Sequence, residues 1–135
     1  MAQTIGIGKV KAHGFTLIEL LLVLLIVALL AGVVAPVVTR SIDRARESTL
    51  KENLYALRKA LDDHYADVGD YPLSLEELVQ KRYLRHVPLD PMTSQRDTWL
   101  LLTAEGKKVS QGAAIADVHS GSDGEAKDGS LYKDW

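Results

Sequence analysis

From Leu20 to Val38 the chain carries no charged residue; beyond it, apolar positions recur at three- and four-residue steps with charges between them. At about 1.5 Å per residue the uncharged segment extends roughly 29 Å, close to the ~30 Å hydrocarbon thickness of a bilayer, so it is long enough to span one. In the second segment Ile42, Ala45, Thr49, Leu50, Leu54, Leu57, Leu61, Tyr65 and Val68 alternate with Arg44, Glu47, Lys51, Arg58, Lys59 and Asp62. That spacing predicts an amphipathic helix to about Ala66, continuous with the apolar segment, with Gly69 beyond its end. Pro36 lacks an N–H and crowds the preceding turn, which makes it, with Gly32 one turn earlier, a candidate kink or melting point. The alternative reading is that Pro36 ends a simple anchor.

After the long helix, Ser74 and Glu77 fit a capping box opening a short helix over Leu75 to Gln80. Pro72 and the Pro88-Leu89-Asp90-Pro91 stretch mark turns on either side. Thr98 to Thr103 reads as a strand and Glu105-Gly106-Lys107 as a turn, with a second strand near Lys108 to Val109 or Ala114 to Val118. The expected fold class is α+β: a long N-terminal helix, half transmembrane and half amphipathic, whose outer half packs on a small antiparallel sheet with a C-terminal loop.

Composition narrows the function. The 135 residues allow one small core, and the 47% hydrophobic content is unevenly spread, with a large share in the one apolar run. The absence of cysteine removes disulfides, thiolate metal sites and a cysteine nucleophile. A net charge of -2 with no basic stripe among aromatics gives no footprint for nucleic acid. His13, His64 and His86 have no metal-binding spacing, and His119 beside Ser120 and Asp123 lacks any sign of a nucleophile elbow or oxyanion hole, so no enzyme activity is expected.

Lys9 and Lys11 precede the apolar run, which places the N-terminus in the cytoplasm and the remainder outside. A cleaved secretory signal and an ordinary signal anchor both fit a basic leader before an apolar helix. The run exceeds the apolar core of about 7–15 residues of a secretory signal. An ordinary anchor leaves Glu19 unexplained, at about 2.5–3.5 kcal/mol if the carboxylate is held deep in the membrane. A cut between Gly14 and Phe15 would put a new α-amine four residues before Glu19, and within one helix or between neighbouring helices the two charges could neutralise each other.

Gly14 followed by Phe15-Thr16-Leu17-Ile18-Glu19 and a long apolar helix with Pro36 resembles the class III signal of type IV pilins and type II secretion pseudopilins. The resemblance implies that a prepilin peptidase cuts between Gly14 and Phe15 and methylates the Phe15 amine. It implies also that Glu19 aligns the subunit in a growing filament and that Pro36 bends the helix. Residues 1–14 are then a leader, 15–38 the transmembrane and assembly helix, and 39–135 a periplasmic domain with its C-terminal loop at 115–135. The Tyr71-Pro72 step, Leu75 to Val79 and the Pro88 to Pro91 turn are similar to the major pseudopilin layout, and the missing cysteines set the chain apart from many type IV pilins. The partners implied are further copies of the same chain, the prepilin peptidase, minor pseudopilins, the inner-membrane assembly platform and membrane lipid.

The loop IADVHSGSDGEAKDGSLYKDW combines hard oxygen donors with glycines, a combination suited to Ca²⁺. The EF-hand template does not fit, since aligning Gly124 with its glycine puts His119 and Ser130 at the terminal ligand positions. Major pseudopilins carry a calcium in this loop, and Ser120 to Gly124 resembles the start of their site, although the adjacent acidic pair of that family is replaced here by Asp128-Gly129-Ser130. Asp123, Asp128 and Asp117 are the candidate side-chain ligands and Val118 a candidate carbonyl donor. The alternative is a polar tail pinned by the packing of Tyr132 and Trp135. The rival functions are a type IV pilus subunit and a non-polymerising, membrane-anchored binding module.

Overall fold

The computed structural model describes residues 1–3, 6, 8, 9, 11 and 13–135; Thr4, Ile5, Ile7, Val10 and Ala12 of the expected leader lie outside the described residues. The chain forms two compact units, Met1–Arg40 and Ser41–Trp135. Its elements are α1 (Leu17–Val68), α2 (Leu75–Gln80), β1 (Leu100–Leu102), β2 (Asp117–His119) and a 3-10 turn (Tyr132–Asp134). The class is therefore α+β, a long N-terminal helix with a small antiparallel sheet.

In the first unit α1 runs without interruption through Pro36, and Thr39 Oγ1 donates to Ala35 O at 3.0 Å on the turn that follows. The large apolar side chains from Leu17 to Val38 are all exposed, from 48% at Val38 to 82% at Leu17. A surface of that composition is stable only against lipid or another apolar face.

In the second unit α1 buries Leu50, Leu54, Leu57, Leu61 and His64 at steps of four and three, with Ala60 beside them. Ile42, Ala45, Thr49, Tyr65 and Val68, which the apolar pattern includes, are exposed. His64 continues the buried stripe because its ring is satisfied. Nδ1 lies 2.8 Å from Asp70 O, which can only accept, so Nδ1 carries the proton and Nε2 accepts from Lys81 Nζ at 3.2 Å. The helix stops at Gly69, whose φ of 86° and N–H to Tyr65 O bond of 2.8 Å make the left-handed turn that a side chain would strain.

Ser74 caps α2 by accepting from Glu77 N at 3.2 Å, but the reciprocal half of the expected box is different. Glu77 Oε2 accepts from Leu73 N at 2.9 Å rather than from the cap residue, while its other oxygen takes Lys81 Nζ at 2.7 Å. The Lys81 hydrogen bond, followed by that of Leu73, holds the Glu77 carboxyl below its ordinary range.

The strand expected over Thr98 to Thr103 is trimmed at both ends. Trp99 turns into the core and donates Nε1–H to Pro88 O at 2.9 Å, and Thr103 opens the turn to Lys107. β1 pairs antiparallel with β2, Leu101 opposite Val118, and Leu102 also bridges Lys108, so both candidate second strands touch β1. Ile115, Val118, Leu75, Leu78 and Trp99 close the core over the α1 stripe.

Candidate functional site

The N-terminal candidate site begins one turn before the apolar helix. Gly14, Phe15 and Thr16 precede α1 and are exposed, Phe15 at 84%. Leu20 N donates to Thr16 O at 3.1 Å and Glu19 N to Thr16 Oγ1 at 3.2 Å, so Thr16 is the N-cap. Thr16-x-x-Glu19 thus has the spacing of a capping box, a signal readable from the sequence that gives Glu19 a place in the first turn, where the helix dipole favours an anion. A Cβ added at Gly14 would meet nothing within 4 Å, and its backbone does not need glycine. The fold makes no demand for glycine at the expected cut.

Residues 9–35 match the family model for the prokaryotic N-terminal methylation motif. The chain carries a prepilin-type signal. That motif indicates a type IV pilin-like substrate of a prepilin peptidase, and the apolar helix fits an inner-membrane anchor for such a protein. No curated protein and no solved structure matches the chain.

The C-terminal half of this prepilin-type chain is built around two polar centres. In the first, Asp90 is fully buried: Oδ2 accepts from Ser120 Oγ at 2.8 Å and Gly121 N at 3.1 Å, and Oδ1 accepts from Met92 N at 2.9 Å. Three donors on one buried carboxylate compensate its desolvation and tie the turn after Pro88 to the loop after β2. Ser120 and Gly121, which the sequence places at the start of a calcium loop, are thereby engaged with Asp90.

The second centre is Arg58 on α1. Its Nε donates to Asp117 Oδ1 at 2.9 Å, and its Nη2 to Val118 O at 3.0 Å and Trp135 O at 2.8 Å. Burial alone would raise the Asp117 carboxyl; the Val118 N–H, the Arg58 guanidinium and His119 together outweigh it and hold the group below its ordinary value. Around this centre the tail closes on α1. Tyr132 donates to Glu47 Oε1 at 3.0 Å, Trp135 Nε1 donates to Ser130 Oγ at 2.7 Å, and Lys51 Nζ lies 4.7 Å from the centroid of the Trp135 ring. Burial first, and then the Glu47 hydrogen bond, push the Tyr132 hydroxyl up to about 12. Tyr132 and Trp135 meet edge to face at 5.1 Å, the packing that pins the tail.

The four calcium candidates do not form a donor set fitted to that ion. Asp117 Oδ1 and Val118 O face Arg58, Asp128 Oδ1 accepts from Ser130 N and Oγ, and Asp123 is exposed with Lys133 Nζ 4.0 Å away. Among the described residues no three His, Cys, Asp or Glu side chains group to hold a metal. His119 Nε2 faces Asp117 Oδ2 at 3.2 Å, whereas the Ser120 hydroxyl is given to Asp90.

Proposed function

We propose that the chain is a structural subunit of a type II secretion pseudopilus, cut between Gly14 and Phe15, methylated on the Phe15 amine and polymerised through its N-terminal helix to drive protein export. The observation that carries the polymerising role is the prepilin-type signal on a helix whose large apolar side chains from Leu17 to Val38 are all exposed. Before assembly lipid covers that surface; in a filament the same surface of neighbouring copies covers it. The secretion role in particular is supported by the layout from Tyr71 to Pro91 and by the lack of cysteine. The role is structural rather than catalytic, and the domain from residue 39 onward lies in the periplasm.

Phe15 stands before the first helical residue, so its backbone nitrogen, an amide until the cut, and Glu19 are not stacked on one helical turn in the uncut chain. This favours the pairing of the Phe15 amine of one subunit with Glu19 of a neighbour as the contact that sets register. A buried carboxylate and amine of that kind stabilise an apolar interface only as a pair, since removal of one leaves the other uncompensated.

The intact mass of the membrane-extracted protein tests the processing step. A mass matching Phe15 to Trp135 plus one methyl group is expected, and a full-length mass from cells with an active prepilin peptidase would contradict the reading. Glu19→Ala is expected to leave that mass shift largely intact but to impair filament assembly; normal filaments from the variant would remove Glu19 from the mechanism. Deletion of the subunit separates the two filament types, because loss of an exported protein marks a pseudopilus and loss of surface fibres marks a pilus.

A further inference from the structure

The two calcium candidates contributed by β2, Asp117 and Val118, converge on a positive charge that belongs to the chain itself. Three oxygens from two parts of the C-terminal region surround the Arg58 guanidinium: a carboxylate and a carbonyl from β2, and the carbonyl of Trp135 at the far end of the loop. A divalent ion bound to a loop of this kind would gather carboxylate and carbonyl oxygens and thereby close the loop on the body of the domain. A guanidinium can do the same, since it presents planar, fixed donors and holds its charge at any ordinary pH.

We propose that Arg58 is a built-in cation that replaces a metal, so that the C-terminal loop is closed on α1 by a side chain and its stability does not depend on calcium. The placement is specific. Arg58 lies on α1 between Leu57 and Lys59, one turn beyond the buried Leu54, so the core stripe fixes its position before the loop arrives. Further tail contacts lie on the same helix, among them Glu47 for Tyr132 and Lys51 for Trp135. Asp123 and Asp128 take no part, which accounts for an exposed Asp123 and for an Asp128 turned back on Ser130.

Both tryptophans, Trp99 and Trp135, belong to the second unit, so tryptophan fluorescence of the full chain in detergent follows its unfolding separately from that of the apolar helix. The wild-type Tm is expected to be the same in excess EGTA and in millimolar calcium. A calcium-dependent rise would overturn the proposal. Arg58→Ala is expected to lower Tm by roughly 5 °C or more, about the shift that loss of one strong contact produces in a domain of this size. It should also make the tail after Lys127 the first site of tryptic cutting. Lys59→Ala, which removes the neighbouring cation paired with Asp63, is expected to leave tail protection unchanged. Should Arg58→Ala fail to fold, Arg58→Lys decides, because it keeps the charge but not the fork and is expected to protect the tail only partly. Tail protection in Arg58→Ala equal to wild type, or in Arg58→Lys equal to an unprotected tail, would show that the guanidinium charge does not close the loop.

Discussion

Gly121→Ala is expected to unfold most of the second unit. A Cβ at this position would stand 1.7 Å from Thr98 O and 2.8 Å from Thr98 C, both backbone atoms. No rotamer change can relieve that overlap; either the loop after β2 or the segment before β1 has to move. Gly121 N also donates to the buried Asp90 carboxylate, whose other oxygen holds Met92 N, so a displaced loop withdraws a charge-assisted hydrogen bond from a carboxylate that has no water to replace it. Overpacking by one methyl costs typically about 1–3 kcal/mol, and a lost hydrogen bond to a charged group about 1.5–3 more. Together these approach the lower end of the ~5–15 kcal/mol that holds a domain folded. The fluorescence Tm should fall by roughly 15 °C or more, or the protein should accumulate unfolded. A Tm within about 2 °C of wild type would mean that the loop and the Thr98 segment do not approach as described.

That contact marks the boundary between what could be read from the sequence and what could not. Local features were legible: the long helix, its stop at Gly69, the Ser74 cap and the turn at Gly106 each depend on residues a few positions apart. The buried stripe of α1 was legible from Leu50 to Leu61, whereas Ile42, Ala45 and Thr49 before it are exposed and His64 takes the place of Tyr65 and Val68 at its end. A histidine reads as polar until the partners of both its nitrogens are known. The candidate site divided in the same way. The prepilin-type signal is a contiguous motif, so it was visible at once, and only the Thr16 cap within it went unread. The acids and glycines of the C-terminal loop suggest a metal site beside the reading of a tail pinned by Tyr132 and Trp135, because the sequence does not show their counter-charge. Arg58 lies 59 residues before Asp117, and two of the three Asp90 partners are 30 and 31 residues further along, and no pattern in the loop itself announces either. Helical periodicity places Arg58 only among the charges between the apolar positions of the amphipathic helix, whereas the return of the chain after β2 supplies the oxygens that give it a structural role.

Gly14→Leu is expected to leave the leader attached while the chain otherwise folds as before. Such a variant gives a clean reading because position 14 has open space around it and ordinary backbone, and because Thr16, not Gly14, caps the helix. A Cβ there meets nothing within 4 Å among the described residues, so a loss of processing reports recognition by the peptidase. The cut fraction in the intact-mass spectrum should fall at least about tenfold, a difference of about 1.4 kcal/mol in recognition. Retention of the leader has a second consequence. Without the cut no Phe15 amine exists, and Lys9 and Lys11 stay ahead of the apolar helix, so both the partner for Glu19 and free withdrawal of the helix from the membrane are lost. Gly14→Leu should therefore block both cutting and assembly, whereas Glu19→Ala should block assembly alone. Normal cutting of Gly14→Leu would break the link between this glycine and the peptidase. If it stayed uncut yet formed normal filaments, the Phe15 amine could not be the group that sets register.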